Sequence, residues 1–404
     1  MTRPEIEDRL ERLVRRAEHV VPEEELARRL DEGRPLRVKL GVDPTVQDVT
    51  LGWAVPLRKL REFQDEGHIA VLIVGDFTAR IGDPSDKSET RPQLSEDVVK
   101  ANAESCLTQL LHILSKDNLE VRYNSEWLGP LDLADILRLT SYYTVARMLE
   151  RDDFRKRYDA NRPISMVEFM YPLMQAYDSV AVRADVELGG NDQLFNLLVG
   201  RDIQKAFGQR EQIALTLPLL VGTDGVQKMS QSLGNYISIH EQANGMFGKL
   251  MSISDDLISQ YGLLAANFDR TEVAALDAAA RAGGPDAAGA KRRVASAVVA
   301  LYHGDEAATG AERAFDRQFK EREAPEEVPE AAIPRDAIDG ERVYLPRVLA
   351  ELGLASSRTE ARRLISQGGV KINGEPTAAE EHGFADLRGA LVQVGKRRFV
   401  RLVD

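Results

Sequence analysis

Three short apolar runs rich in β-formers, "LRVKLGV" (36–42), "IAVLIVGD" (69–76) and "LEVRYN" (119–124), alternate with stretches of helical periodicity, and this alternation narrows the fold more than anything else in the chain. A parallel neighbour can be reached only by a crossover, usually a helix, so the pattern predicts an α/β protein with a parallel sheet. "WAVPLRKLREFQDEGH" reads as the first crossover helix, with Pro56 tolerable only in its first turn, where the missing N–H has no partner to lose. The segment from Asp43 to Gly52 then lies at the carboxyl end of the first strand, where open α/β sheets bind ligands.

A chain of 404 residues exceeds what one core usually organises. Residues 1–235 carry the α/β pattern behind a charged helical N-terminus, and residues 236–319 become Ala-rich and helical, as in "EVAALDAAARAGG". Residues 320–340, with "KEREAPEEVPEAAIPRD", read as a linker dominated by charge and proline. Residues 341–404 read as a separate α+β module of two short helices followed by strand, turn and strand in "GGVKINGE". The net charge of -12 argues against a protein coated in nucleic acid, but residues 341–404 hold 11 Lys or Arg against 8 Asp or Glu. There Arg358, Arg362 and Arg363 fall near one helical face, which suits either plain solvation or contact with phosphates. "IAVLIV" is far too short to span a bilayer, and the N-terminus lacks the apolar run of a secretory signal, so no membrane association and a cytoplasmic location are expected. The single Cys106, in the helical "ANAESCLTQLLHIL", can form neither an internal disulfide nor a metal cluster and reads as a packing residue.

Five separated segments carry chemistry. "KLGVDPT" places Gly41, Asp43 and Thr45 just past the first strand, and "GDFTARIGDPSDKSETRP" puts Asp83 in a turn with Lys87 and Arg91 available to anionic phosphates. "MYPLMQAYDS" sets Tyr171, Gln175 and Asp178 at spacings of four and three, hence on one helical face. "ELGGNDQLFN" offers Gly189 and Gly190, which let a ligand approach the backbone, followed by Asn191, Asp192 and Gln193. "GTDGVQKMSQSLGN" is a Gly-rich loop presenting Lys228.

In this order the five segments resemble those of bacterial tyrosyl-tRNA synthetases, a class I aminoacyl-tRNA synthetase family, over essentially the whole chain. "KMSQS" is similar to the family's KMSKS loop, and residues 341–404 resemble its S4 RNA-binding module. The resemblance implies a Rossmann-like catalytic domain, a helical anticodon-recognition-type domain and an S4-like domain, in a homodimer. It also implies that ATP, accompanied by Mg²⁺ and with no protein-bound metal, activates the carboxylate of tyrosine or a close analogue before transfer to tRNA. Carried over by position, Asp83, Tyr171 and Gln175 hold the substrate ammonium and Asp178 accepts from the phenol. Gly41, Asp43, Gly52, Gly189, Gly190 and Asp192 line the adenylate, while Thr45, Lys87, Arg91 and Lys228 meet the departing phosphates.

Four positions depart from the family. Its His-Ile-Gly-His motif falls on Thr50-Leu51-Gly52-Trp53, the second lysine of KMSKS is Gln231, and Lys39 stands where many members place a tyrosine that meets the phenol. Thr50 is expected to cap the following helix, Trp53 to enter the nucleotide cleft, and Gln231 to bond phosphate without neutralising it. The losses cluster at the phosphate end, which predicts that amino-acid binding survives with weakened adenylation. The alternative is a paralogue that charges no tRNA, binds a tyrosine-like amino acid or RNA, or activates an amino acid for a non-ribosomal product.

Overall fold

The computed structural model describes residues 3–45, 47–85, 95–318, 328–395 and 398–403, in two compact units, Met1–Asp305 and Glu306–Asp404. The first is built on a six-stranded sheet of β1 (His19–Val21), β2 (Arg37–Val42), β3 (Ile69–Val74), β4 (Leu119–Tyr123), β5 (Val186–Gly190) and β6 (Ile213–Leu217). Its order is β1-β6-β5-β2-β3-β4, and every pairing is parallel except that of β1 with β6. The short β1 lies between the helices Arg3–Val14 and Glu23–Asp31, so the N-terminal extension read as helical also supplies an edge strand. β3 is buried along nearly its whole length, as expected of a strand covered on both faces.

From β2 the chain continues to β3 and β4 on one side, then returns to β5 and β6 on the other. This reversal opens a crevice at the carboxyl ends of β2 and β5, the place where such sheets take ligands. The crossover helix Leu51–Asp65 starts with Thr50 as its N-cap, the hydroxyl accepting from the Trp53 N–H at 3.3 Å. Pro56 sits inside this helix rather than in its first turn. The carbonyl it leaves without an i+4 donor is that of Gly52, and both residues line the crevice.

The helices Ala243–Met251, Ile258–Leu264, Arg270–Ala282 and Gly284–His303 belong to the same compact unit as the sheet. The boundary expected at residue 235 therefore does not separate two compact bodies. Arg58, on the crossover helix, is one reason: it donates to the Ala265 carbonyl at 2.5 Å and to the Tyr302 hydroxyl at 2.8 Å. Cys106 is buried in the helix Glu96–Leu110.

The second unit contains a five-stranded sheet, a three-stranded sheet and the helices Leu345–Glu351 and Arg358–Ser366, around a core that includes Val348, Leu349, Ile365, Val392 and Leu402. Part of the expected linker is structured: Glu330–Ala332 pairs in parallel with Arg401–Val403, and Ile338–Asp339 pairs with Arg342–Tyr344. Ile333 is buried in the core, and Pro329 and Pro334 flank a strand at the sheet's edge, where a missing N–H is tolerated. Residues 320–327 of that linker lie outside the described residues.

The crevice is shaped by a tight contact at the end of β3, where a Cβ on Gly75 would lie 2.0 Å from Asp43 Oδ1 and 2.4 Å from Thr78 Oγ1. Gly75→Ala must break the Thr78–Asp43 hydrogen bond or displace the strand end, and is expected to cost about 1–3 kcal/mol of stability. Thermal denaturation of the variant checks this, and an unchanged midpoint would contradict it.

Candidate active site

The crevice is a cleft of about 590 Å³, within the range of small-molecule sites. At one end Asp178, on the helix Met166–Val182, lies almost fully buried, its Oδ1 accepting from Trp127 Nε1 at 2.8 Å and its Oδ2 from Asn124 Nδ2 at 3.3 Å. Burial pushes its carboxyl up to about 7, against the pull of the Lys39 ammonium. One and two turns earlier on the same helix, Gln175 and Tyr171 also line the cleft, as the spacing predicts. Tyr171 donates its hydroxyl to Asp43 Oδ2 at 3.0 Å, and Asp43 Oδ1 accepts from Thr78 at 2.7 Å. Protein packed around Asp43 pushes its carboxyl up to about 7 as well, although part of its surface meets the cleft. Asp83 completes this end, with Oδ1 accepting from the Ser85 hydroxyl at 2.6 Å and Oδ2 from Gln193 Nε2 at 2.8 Å.

Gly41, Gly52, Gly189 and Gly190 line the middle of the cleft. A Cβ on Gly189 would come within 2.9 Å of Gln193 Cβ and one on Gly190 within 2.7 Å of Leu219 Cδ2, so bare backbone is required at both. Gly41 has open space where a side chain would go, and that space is the cleft itself.

At the other end lies the Gly-rich loop. It folds back as a short hairpin, Met229 N donating to the Leu220 carbonyl at 2.8 Å, and its turn is held by Asp224, whose Oδ1 accepts from the Val226 and Gln227 amides at 3.0 and 3.1 Å. Asn235 ties the two sides, donating to Asp224 Oδ2 at 2.8 Å and accepting from Ser230 N at 2.8 Å. Lys228 is thereby aimed into the cleft, where it pairs with Asp192 at 2.6 Å. Thr45, Trp53 and Gln231 line the same end. Thr50 is nearly fully buried with its hydroxyl engaged in the helix cap, and Gln231 donates its amide to the Asp48 carbonyl at 2.6 Å. Lys87 and Arg91 lie outside the described residues.

Residues 31–320 match the family model of tRNA synthetases class I (W and Y), and residues 345–378 match the S4 domain. The chain belongs to the class I tRNA synthetases. Within that family it is 49% identical to the tyrosine–tRNA ligase of Moorella thermoacetica, over 98% of this chain and 96% of that one. It is 48% identical to the tyrosine–tRNA ligase of Carboxydothermus hydrogenoformans, over 99% of this chain and 98% of that one. The same fold occurs in the tyrosyl-tRNA synthetase of Archaeoglobus fulgidus complexed with L-tyrosine, with a TM-score of 0.62 at 22% identity, covering 76% of this chain and 99% of that one. A truncated mitochondrial tyrosyl-tRNA synthetase from Aspergillus nidulans aligns with a TM-score of 0.63 at 23% identity, covering 78% of this chain and 94% of that one. The protein is tyrosyl-tRNA synthetase-like.

One site expectation for this synthetase is displaced. Lys39 does not line the cleft: it is fully buried, paired with Glu187 Oε1 at 2.8 Å and donating to the Gln175 carbonyl and the Ser179 hydroxyl at 2.9 and 2.8 Å. In the S4 unit Arg358, Arg362 and Arg363 are all exposed on one helix, and Arg362 is paired with Glu380 at 2.8 Å. Asn124 and Trp127, which hold Asp178, went unnoticed in the sequence. The available signal was position, because both immediately follow β4 at its carboxyl end, the edge of the sheet that carries the site.

Asp43 and Asp178 are neutral below about pH 7 and ionised above it. A ligand bearing an ammonium and a phenol O–H favours the ionised forms, so tyrosine affinity is expected to rise with pH up to about 7 and then level off. Calorimetric titration across that range checks this, and a flat profile would refute it. The free protein has the opposite sign: folded-state pKa values raised above the unfolded 3.8 make these carboxyls stabilising at low pH, a contribution lost as pH rises through 7.

Proposed function

We propose that this synthetase-like chain binds tyrosine or a close analogue and adenylates it with ATP at a much reduced rate before transfer to tRNA. The observation that carries the reading is the contrast between the two ends of one cleft. At the amino-acid end, Asp178 is held by two donors for a phenol, and Asp83, Tyr171 and Gln175 offer oxygens to an ammonium. Tyr171 donates its only proton to Asp43, which leaves its oxygen free to accept. A site furnished this way leaves buried polar groups unpaired around a ligand without the hydroxyl, which favours tyrosine over phenylalanine.

At the phosphate end the donors are depleted. Adenylation requires the tyrosine carboxylate to attack the α-phosphorus while the bond to the bridging oxygen breaks and pyrophosphate leaves with the electron pair. Charge grows on that pyrophosphate, and preorganised donors lower the barrier. Thr50 is nearly fully buried and its short hydroxyl accepts in the helix cap, Trp53 offers a neutral indole N–H with no positive charge, and Gln231 is neutral and bonded to the Asp48 carbonyl. Thr45 and Lys228 remain, with Lys87 and Arg91 in the adjoining sequence. Gly41, Asp43, Gly52, Gly189, Gly190 and Asp192 would receive the adenosine and α-phosphate, with Mg²⁺ arriving on ATP. Arg358, Arg362 and Arg363 would meet tRNA phosphates. The same depletion favours the second reading, a paralogue that binds tyrosine and charges no tRNA.

The location would be cytoplasmic, and no helix among the described residues is long and apolar enough to cross a membrane. A homodimer is supported by the large apolar side chains of Leu133, Leu137, Val145 and Met166, all more than half exposed. Leu133→Asp combined with Met166→Asp is expected to yield a monomer in sedimentation, and a wild-type chain that is itself monomeric would overturn the dimer.

ATP–pyrophosphate exchange with tyrosine tests the central reading. Exchange is expected to be slow in the wild type and to rise about a hundredfold or more in the variant Thr50→His, Trp53→His, Gln231→Lys, the scale of restoring a transition-state donor. Exchange at an ordinary synthetase rate in the wild type would overturn the impairment. No exchange in either protein would favour the non-charging paralogue.

A further inference from the structure

Behind the ammonium end of the cleft lies a buried polar cluster that contacts no ligand position directly. Lys39 on β2 and Glu187 on β5 are register partners across the parallel pair, so their side chains leave the sheet on the same face. Both are essentially inaccessible, and Nζ lies 2.8 Å from Oε1. All three ammonium donors of Lys39 are used, on Glu187, the Gln175 carbonyl and the Ser179 hydroxyl. Ser179 donates onward to Glu187 Oε2 at 3.1 Å, and Gln212 Nε2 donates to the same oxygen.

The remaining partner of Glu187 is the side chain of Gln175, whose Nε2 donates to Oε1 at 3.1 Å. An ionised carboxylate only accepts, so it can face only the NH₂ side of an amide. The amide of Gln175 is thereby fixed in one of its two orientations, and its carbonyl Oε1 is left buried with no hydrogen-bond partner. Gln212 obeys the same rule: its NH₂ is on Glu187 and its carbonyl is also without a partner. Gln175 lines the cleft, an unpaired buried carbonyl is costly by itself, and a ligand that donates would satisfy it.

We propose that Glu187, ion-paired with Lys39, is a positioning residue that locks the Gln175 amide with its carbonyl toward the α-ammonium of the amino acid, so that this end of the cleft selects amines. The inference rests on the proposed function, in which Gln175 is one of the ammonium acceptors, and deepens it by assigning a role to Lys39 and Glu187. A buried carboxylate without its cation would be driven toward the neutral acid, which can donate and would let the amide turn over.

The test compares the binding of L-tyrosine with that of its desamino analogue, hydroxyphenylpropionate, which keeps the phenol and carboxylate but lacks the ammonium. Calorimetry on the wild type is expected to show tighter binding of tyrosine. In Glu187→Gln the new amide can donate to Gln175 as well as accept, and the tyrosine preference is expected to fall by about tenfold or more, the scale of one hydrogen bond to a charged group. The double variant Lys39→Met, Glu187→Gln removes both buried charges together, keeps the fold if the single change does not, and is expected to lose the preference similarly. A merely structural role would lower the melting temperature and leave the ratio unchanged. Using a ratio also cancels any effect of Lys39 on Asp178, since both compounds carry the phenol. Full tyrosine preference in a folded variant would overturn this inference alone. A wild type that binds neither compound would overturn the proposed function and this inference with it.

Discussion

The parallel pairing of β2 with β5 joins strands that are far apart in sequence and sends the chain away from them in opposite directions. No crossover covers the gap between their carboxyl ends, and the rest of the site depends on that gap. Gly41 at the end of one strand and Gly189 and Gly190 at the end of the other keep it open, because side chains there would fill the cleft or strike Gln193 and Leu219. The helix Leu51–Asp65 begins at its rim, and the helix Met166–Val182 forms the wall that carries Tyr171, Gln175 and Asp178.

The cleft has two electrostatic environments. Around Asp178 and Asp43 the protein is dense enough to raise both carboxyls to about 7, and each carboxylate accepts from two uncharged donors, Trp127 and Asn124 on Asp178 and Thr78 and Tyr171 on Asp43. Such a region recognises hydrogen-bond donors by leaving unmatched ligands with unpaired groups. The opposite end is more open and draws its positive charge, among the described residues, from Lys228, which is paired with Asp192. A neutral amide and an indole cannot stabilise growing negative charge as cations or imidazoles do, which is why the substitutions bear on rate more than on recognition.

Much of this was legible beforehand. The α/β class followed from the spacing of apolar runs, the carboxyl-end loop from the position of Asp43, and the shared face of Tyr171, Gln175 and Asp178 from helical periodicity. The cap at Thr50 followed from its hydroxyl just ahead of a periodic segment. The edge strand His19–Val21 was too short to announce itself, and Glu330–Ala332 was masked by the charge and proline around it, since its strand pairing exists only with residues some seventy positions later. Pro56 was placed too early because the helix starts further upstream than the apolar period alone suggests.

The sequence by itself determined the α/β class, the strands β2, β3 and β4 with the crossover helix between the first two, the shared face of Tyr171, Gln175 and Asp178, and the family resemblance, because these are set by local periodicity and by short motifs. Tertiary structure alone decided which side chains meet. Lys39 and Glu187 are 0% and 1% exposed partners from strands far apart in the chain, and nothing local to either predicts that the other supplies its counter-charge. Asn124 and Trp127 reach Asp178, and Gln231 reaches Asp48, for the same reason: a hydrogen bond needs atoms within about 3 Å, and the sheet's topology, rather than chain distance, brings them there.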